Sequence, residues 1–192
     1  MIEQRRQEDI EKANTLAQEL HKKQFRKHTK IPYYEHLAGV AGLIKLGGGN
    51  DTQIIAGLLH DSIEDQGDKI TIEEIKNLFG SEVATLVMDC THEDTDEGYR
   101  VHKQRPMDKI ASGNISLYSN LVITCDKLYN AESIVRDYVL IGDKLWDRFN
   151  GDKSDVVWYY TGMYKALRSV APSGSNPMLD RLERAVRVLN SF

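Results

Sequence analysis

The sequence predicts an all-α protein, a compact multi-helix bundle. Apolar residues recur at the three- and four-residue spacing of amphipathic helices over most of the 192 residues. Almost no segment alternates apolar and polar residues with the period of two that marks a strand. Breakers such as the triple glycine at 47–49 separate the helical stretches. The length fits one domain, and we expect a single domain over residues 1–192.

The first half of the chain is predicted to hold five helices. Residues 51–63 are nearly all apolar, which is typical of a buried central helix. Thr71 followed by Glu74 forms a capping box, the usual start of a helix. The predicted ranges are 4–28, 34–46, 51–63, a short helix from Thr71 to about Gly80, and 81–91.

The second half continues with helices after an acidic, loop-like stretch at 92–99. Pro106 marks either the start of a helix or a kink in it, because proline cannot donate a backbone hydrogen bond. The stretch APSGSNP at 171–177 has the composition of a linker. The predicted helices are 101–111, 117–138, 143–149, 154–170 and a C-terminal helix at 178–190.

The composition argues against several classes of protein. With 25 basic and 29 acidic side chains the net charge is −4, which does not suit non-specific nucleic-acid binding. Cys90 and Cys125 form no CxxC pair, so we expect no cysteine zinc site and a reducing compartment. The charged N-terminus has no apolar h-region of a signal peptide, and no apolar run approaches the length of a membrane span. We therefore expect a soluble, cytoplasmic protein; the sequence leaves its oligomeric state open.

His60 and Asp61 are the first residues that point to chemistry. They follow six apolar residues, IIAGLL, and a buried carboxylate without a partner is costly. A divalent cation would bind both the imidazole nitrogen and the carboxylate oxygen and offset this cost. The alternative is a simple helix end at which Asp61 meets solvent.

Four further residues strengthen the metal hypothesis. Glu64 and Asp65 lie about one helical turn beyond the pair, and can face the same cavity. His36 begins an apolar helix, and Asp126 lies within the apolar stretch LVITCDKLYNA. Each alone has an ordinary explanation, a capping histidine or a carboxylate paired with arginine. Together they offer a mixed nitrogen and oxygen ligand set, which suits Mn, Fe, Zn or Mg with positions open for water.

A site of this kind indicates hydrolysis of a phosphate ester or anhydride. A divalent ion lowers the pKa of a coordinated water from about 15.7 towards about 7, which supplies a nucleophile at neutral pH. Glu64 and Asp65 are placed to orient that water, to accept its proton, or to protonate the leaving oxygen.

The pattern His…His-Asp…Asp resembles that of the HD phosphohydrolase superfamily, and the sequence HDSIED resembles the HDxxED form of RelA/SpoT-type hydrolase domains. Three flanking segments resemble the same family, which includes the stand-alone small alarmone hydrolases and the metazoan SpoT homologues. These segments are AQELHKKQFRKHTKIPYYEHLAGVA at 17–41, TIEEIKNLFGSEVATLV at 71–87 and CDKLYNAESI at 125–134. The resemblance covers about residues 13–170.

The resemblance implies an HD-type fold and removal of the 3′-pyrophosphate from (p)ppGpp, an alarmone of the stringent response, to give GDP or GTP. It implies Mn²⁺ as the usual ion, although another divalent metal is possible. The implied roles are metal ligation by His36, His60, Asp61 and Asp126, acid–base catalysis by Glu64 and Asp65, contact with the guanine base by Arg26 and Lys27, and contact with the nucleoside by Tyr129 and Asn130.

Two departures from the family leave the nucleotide open. Ile123 and Glu132 stand where many relatives carry Lys and Arg, so positive charge near the polyphosphate would be lost. Basic residues that could compensate are Arg100, Lys103, Arg105 and Lys109. One alternative is therefore an HD phosphohydrolase acting on an adenosine-type alarmone such as ppApp, on NADPH or on a nucleoside phosphate. Another is a non-catalytic nucleotide-binding or partner-binding protein, and an antitoxin role is compatible with the enzyme.

Overall fold

The computed structural model describes residues 2–92, 98–171 and 176–192, and within these ranges it contains helices and no strand. The all-α prediction is confirmed. The α-helices are α1 Ile2–His21, α2 Tyr34–Leu46, α3 Asp51–Leu59, α4 Ser62–Gln66, α5 Ile72–Phe79, α6 Ser81–Cys90, α7 Tyr99–Ala111, α8 Ser119–Ile141, α9 Lys153–Val170 and α10 Pro177–Leu189. A 3₁₀ helix, Gly142–Arg148, connects α8 to α9.

Helix α3 lies at the centre of the bundle, as its apolar sequence predicts. It packs against α1, α2, α6 and α8. Leu59 is fully buried, and so is Leu37 of α2. Burial of one such leucine stabilises the fold by about 1.5–3 kcal/mol. A capping box between Asn50 and Gln53 begins α3 and fixes where this apolar helix enters the core.

Local signals for several helix boundaries agree with the structure. Thr71 caps α5 through the backbone N–H of Glu74, and Glu74 accepts from the backbone N–H of Thr71. Helix α7 continues through Pro106, so this proline does not mark its start. Within the described ranges no helix has both the length and the apolar character that a membrane span requires. The predicted acidic loop and linker lie mostly at 93–97 and 172–175, outside the described residues.

The first helix is shorter than predicted, because it ends at His21 and not at residue 28. Beyond it the chain reverses: Arg26 N donates to Ile31 O at 2.8 Å, and Tyr33 N donates to Gln24 O at 2.9 Å. His28 adopts a left-handed φ of 58° within this turn. Backbone hydrogen bonds to residues further along the chain thus replace those that a continued helix would make. Arg26 therefore lies on a loop that folds back towards α2.

The central helix is also interrupted, at the pair that the sequence singles out. Helix α3 ends at Leu59 and α4 begins at Ser62, so the predicted continuous helix 51–63 is wrong at this point. Asp61 has φ −96° and ψ 0°, outside the α-helical region. The break places Asp61 at a helix start, where its carboxylate reaches the imidazole of His60.

Candidate active site

The four predicted metal ligands converge from α2, from the junction between α3 and α4, and from α8. The Nε2 atoms of His36 and His60 lie 3.3 Å apart. Asp61 Oδ2 is 3.4 Å from the first of these nitrogens and 3.0 Å from the second. Asp126 Oδ1 is 3.3 Å and 3.6 Å from them. Two imidazoles and two carboxylates thus face one small space.

Neighbouring groups hold these side chains in the orientation that a cation would need. His60 Nδ1 lies 2.9 Å from Gly57 O; in the neutral ring that a cation would bind, a bond to this carbonyl keeps the proton on Nδ1 and turns the Nε2 lone pair towards the cluster. The Tyr33 hydroxyl donates to Asp61 Oδ2 at 2.8 Å. Asn130 Nδ2 donates to Asp126 Oδ1 at 2.6 Å. Each of these contacts fixes a ligand atom.

The charges and distances also fit a divalent cation. Burial raises the pKa of Asp61, but the imidazoles of His60 and His36 together outweigh it, through charge and hydrogen bonding, and hold that pKa well below the usual range. Burial also raises the pKa of Asp126, but Lys127 at 2.7 Å, together with the hydrogen bonds of His36 and His60, outweighs it and holds that pKa well below the usual range. Both carboxylates are therefore ionised. Ligand atoms of His36, His60 and Asp126 lie within 4.8 Å of one another, close enough to share one ion.

Glu64 and Asp65, the predicted acid–base pair, lie on α4 and remain exposed to solvent. His92 N donates to Glu64 Oε2 at 3.2 Å, and Gln24 Nε2 donates to Asp65 Oδ2 at 2.8 Å. Partial burial, together with the nearby charge of Asp61, raises the pKa of both carboxyl groups. A carboxyl group with a raised pKa exchanges protons closer to neutral pH, which suits acid–base work.

The four predicted substrate-binding residues line one cavity of about 360 Å³, within the usual size range of small-molecule sites. Arg26 Nη2 donates to Asn130 Oδ1 at 2.8 Å, and Asn130 in turn contacts Asp126. Lys27 Nζ donates to Asn150 Oδ1 at 2.6 Å, and Asn150 also lines the cavity. The cavity is thus joined to the metal cluster by one amide. Lining residues include Arg26, Lys27, Tyr33, Lys103, Tyr129, Asn130, Arg148, Phe149 and Tyr160.

The departures at 123 and 132 have less effect than the sequence suggests. Ile123 is buried in the core, 4% exposed. Glu132 does not line the cavity; both of its oxygens accept from Arg181 of α10, at 2.5 and 2.8 Å. Glu132 is therefore neutralised by an ion pair outside the cavity. Of the four basic residues considered as compensation, Lys103 lines the cavity.

Sequence reasoning missed Tyr33, Gln24 and Lys127. Lys127 Nζ is largely buried against Asp126 and lies 5.8 Å from the centroid of the Tyr159 ring. Its position directly after a predicted ligand was a usable signal, since a buried carboxylate needs a cationic partner. No comparable signal existed for Gln24, because its partner Asp65 is 41 residues away.

Gly39 of α2 allows the wall of the cavity to approach the cluster. A Cβ atom at this position would lie 2.1 Å from Tyr129 Cε2, and the Tyr129 ring packs at 5.1 Å against His36. We expect Gly39→Ala to displace the ring and to lower the free energy of unfolding by about 1–3 kcal/mol. Gly42→Ala is the matched control, since a Cβ there meets nothing within 4 Å. Urea unfolding measures both, and equal effects would contradict the assignment.

Comparison with known proteins shows which family has this architecture. A family model described as HD domain matches residues 13–115. The guanosine-3′,5′-bis(diphosphate) 3′-pyrophosphohydrolase MESH1 of Xenopus tropicalis is 38% identical over 130 residues, 66% of this chain and 69% of the relative. A probable guanosine-3′,5′-bis(diphosphate) 3′-pyrophosphohydrolase of Synechocystis sp. is 45% identical over 80 residues, 42% of this chain.

The chain spans 10% of the length of the Synechocystis protein, so that protein as a whole is much larger than the matched part. Among solved structures, a metazoan SpoT orthologue that hydrolyses ppGpp superposes with a TM-score of 0.73 at 21% identity, over 93% of this chain and 94% of the other. At that identity the likeness concerns the fold. The family model covers more than half of the sequence, and the chain belongs to the HD-domain family of hydrolases.

Proposed function

We propose that the protein hydrolyses the 3′-pyrophosphate of (p)ppGpp, giving GDP or GTP and pyrophosphate. The observation that carries the proposal is the cluster of His36, His60, Asp61 and Asp126, joined through Asn130 to a cavity of nucleotide size. The MESH1 relative is named for this same reaction. A single domain over residues 1–192 and a cytoplasmic location belong to the proposal.

An HD hydrolase domain implies a divalent cation, and we propose Mn²⁺ held by His36, His60 and Asp126 together with Asp61 beside them. When bound, the cation supplies Lewis-acid chemistry, which brings the pKa of a water molecule into the neutral range. The chain's own contribution is orientation. Tyr33 holds the Asp61 carboxylate, Asn130 holds that of Asp126, and Gly57 O fixes the tautomer of His60.

Glu64 and Asp65 handle the protons of the reaction in this proposal. Hydrolysis needs one group to accept the proton of the attacking water and one to deliver a proton to the leaving oxygen. The two carboxyl groups follow one another on α4, three and four residues after Asp61, and their raised pKa values suit both tasks. Their exposure to solvent allows the proton to be exchanged after each turnover.

In this proposal the nucleoside occupies the cavity. Arg26 and Lys27 contact its nucleobase, and Tyr129 and Asn130 lie beside its sugar. The planar guanidinium of Arg26 already lies 5.8 Å from the Tyr33 ring centroid, an arrangement in which a purine can stack against it. Lys103, which lines the same cavity, supplies positive charge for phosphate groups.

Arg26→Ala is expected to raise the KM for ppGpp by about tenfold and to change kcat by less than about threefold. The arginine contacts bound nucleotide before and during the reaction, so its loss removes binding equally from both states. Arg187→Ala, on the exposed side of α10, is the control and should leave KM unaltered. Steady-state kinetics measures both variants. A normal KM for Arg26→Ala would remove this residue from the base site.

The function is tested by incubating the purified protein and Mn²⁺ with ppGpp, pppGpp, ppApp and NADPH, followed by resolution of the products. Release of pyrophosphate from the two guanosine nucleotides at much higher kcat/KM supports the proposal. Preference for ppApp or NADPH would replace the substrate and keep the hydrolase. Tight binding of ppGpp without turnover would favour the non-catalytic binding protein.

A further inference from the structure

Gln24, in the turn after α1, connects the exposed carboxylate of Asp65 to the protein interior. Its Nε2 donates to Asp65 Oδ2 at 2.8 Å. Its Oε1 lies 2.7 Å from His21 Nδ1 and accepts from Gln66 Nε2 at 2.6 Å. Lys69 Nζ donates in turn to Gln66 Oε1. The Gln24 amide therefore joins the candidate acid to His21 and Gln66, and Gln66 extends the network to Lys69.

Hydrogen-bond chemistry gives this network a single direction. An ionised carboxylate only accepts hydrogen bonds, so the amide nitrogen of Gln24 must face Asp65 and its oxygen must face His21. Burial lowers the pKa of His21, which keeps the ring neutral, and the proton must therefore lie on Nδ1. This tautomer leaves a bare lone pair on His21 Nε2, the atom that is buried without a partner.

The supporting residues are rigidly held. His21 is 1% exposed and Gln66 is 7% exposed. The backbone of Gln24 is also fixed, because its N–H donates to His21 O and its carbonyl accepts from Tyr33 N, both at 2.9 Å. The ring of Tyr33 stacks on His21 with centroids 5.3 Å apart. Such a clamp restrains the exposed carboxylate of Asp65.

We propose that Gln24 is a positioning residue, which occupies Asp65 Oδ2 and so leaves Asp65 Oδ1 to carry the proton during hydrolysis. The inference rests on the proposed function, in which Asp65 transfers a proton. A general acid that is misplaced by about 1 Å can lose on the order of 100-fold in rate, so a fixed carboxylate matters for turnover more than for binding. His21 and Gln66 act one step further out, by fixing the amide of Gln24.

The test compares Gln24→Met and Gln24→Glu with wild type. Methionine keeps the length of the side chain and removes both polar atoms. Glutamate keeps an oxygen for His21 and Gln66 and removes the N–H that Asp65 accepts, so it retains the buried contacts even if methionine disturbs the turn. We expect each variant to lower kcat by about 10- to 100-fold and to change KM by less than about threefold.

Two controls separate positioning from a structural effect. Gln104→Met removes a similar glutamine–aspartate contact, to Asp108 at 2.8 Å on the surface of α7, and should keep wild-type kcat. In the Asp65→Asn background, Gln24→Met should cause no further loss of kcat, because a residue that acts only through Asp65 has nothing left to position. Melting temperatures of all variants are measured in parallel.

The proposal is overturned if Gln24→Glu retains wild-type kcat, or if Gln24→Met lowers kcat as much in the Asp65→Asn background as in wild type. Wild-type protein that does not hydrolyse ppGpp would instead overturn the proposed function, and this inference with it. Wild-type turnover by Asp65→Asn would remove Asp65 from the reaction and therefore Gln24 as well.

Discussion

Asp61→Ala is expected to reduce the turnover of ppGpp by about 1000-fold or more while the protein stays folded. Asp61 lies in the break between α3 and α4, and its side chain is 19% exposed. Its carboxylate contacts the two imidazoles and the Tyr33 hydroxyl, and contributes no apolar packing to the core. Asp61→Ala is therefore expected to weaken ion binding and turnover, and to leave the stability of the fold largely unchanged. kcat/KM and the thermal unfolding curve measure the two effects separately.

Asp68→Ala is the matched control, since this exposed aspartate follows α4 closely and belongs to no described contact of the cluster. It should retain wild-type turnover and stability. Asp61→Asn keeps the shape of the side chain and removes its charge, and should also be inactive. Turnover within about threefold of wild type in Asp61→Ala would contradict the role of this carboxylate as a ligand.

Removal of divalent cations is expected to reduce turnover about as much as Asp61→Ala does. Two ionised carboxylates and two imidazoles are already gathered before any ion binds, so chelation should abolish turnover and added Mn²⁺ should restore it. The ion should also stabilise the fold, by about 2.7 kcal/mol when its concentration is 100 times Kd. Activity and melting temperature after dialysis against EDTA, with and without Mn²⁺, provide the measurement.

The variant His36→Ala separates specific ion binding from a general salt effect. His36 is 1% exposed and contributes Nε2 to the cluster, so without it Mn²⁺ should produce a much smaller shift in melting temperature. Full activity after exhaustive chelation would argue against a metal-dependent reaction. An equal shift in wild type and His36→Ala would place the ion elsewhere on the protein.

Much of the fold is encoded in signals that lie close together in the chain. The helical period of α2, the glycines that follow it and the capping box at Thr71 fix element boundaries through neighbouring residues. The end of α1 at His21 depends instead on the bond between Tyr33 N and Gln24 O, which forms only when the turn is closed. The composition of residues 4–28 predicts that α1 continues beyond His21, so the predicted helix is longer than the observed one.

The residues of the site also differ in whether local sequence signals can identify them. Carboxylates within apolar helices identify Asp61 and Asp126 as residues that need a partner, and this reasoning requires no distant contact. The sequence does not tell which face of α8 is turned to the site, because this helix packs against α2, α3 and α10 and is largely surrounded by other helices. Glu132 therefore turned out to pair with Arg181 of α10.

Asn130 gives the molecule a property that neither half of the site has alone. Its oxygen is held by Arg26 at the nucleoside cavity and its nitrogen by Asp126 at the ion cluster. With an ion and a nucleotide at their proposed places, occupancy of either one restrains the amide that the other must meet. Such linkage is reciprocal, so each ligand changes the affinity for the other by the same factor. Binding of a nucleotide in the cavity would then change how firmly the cluster retains its metal.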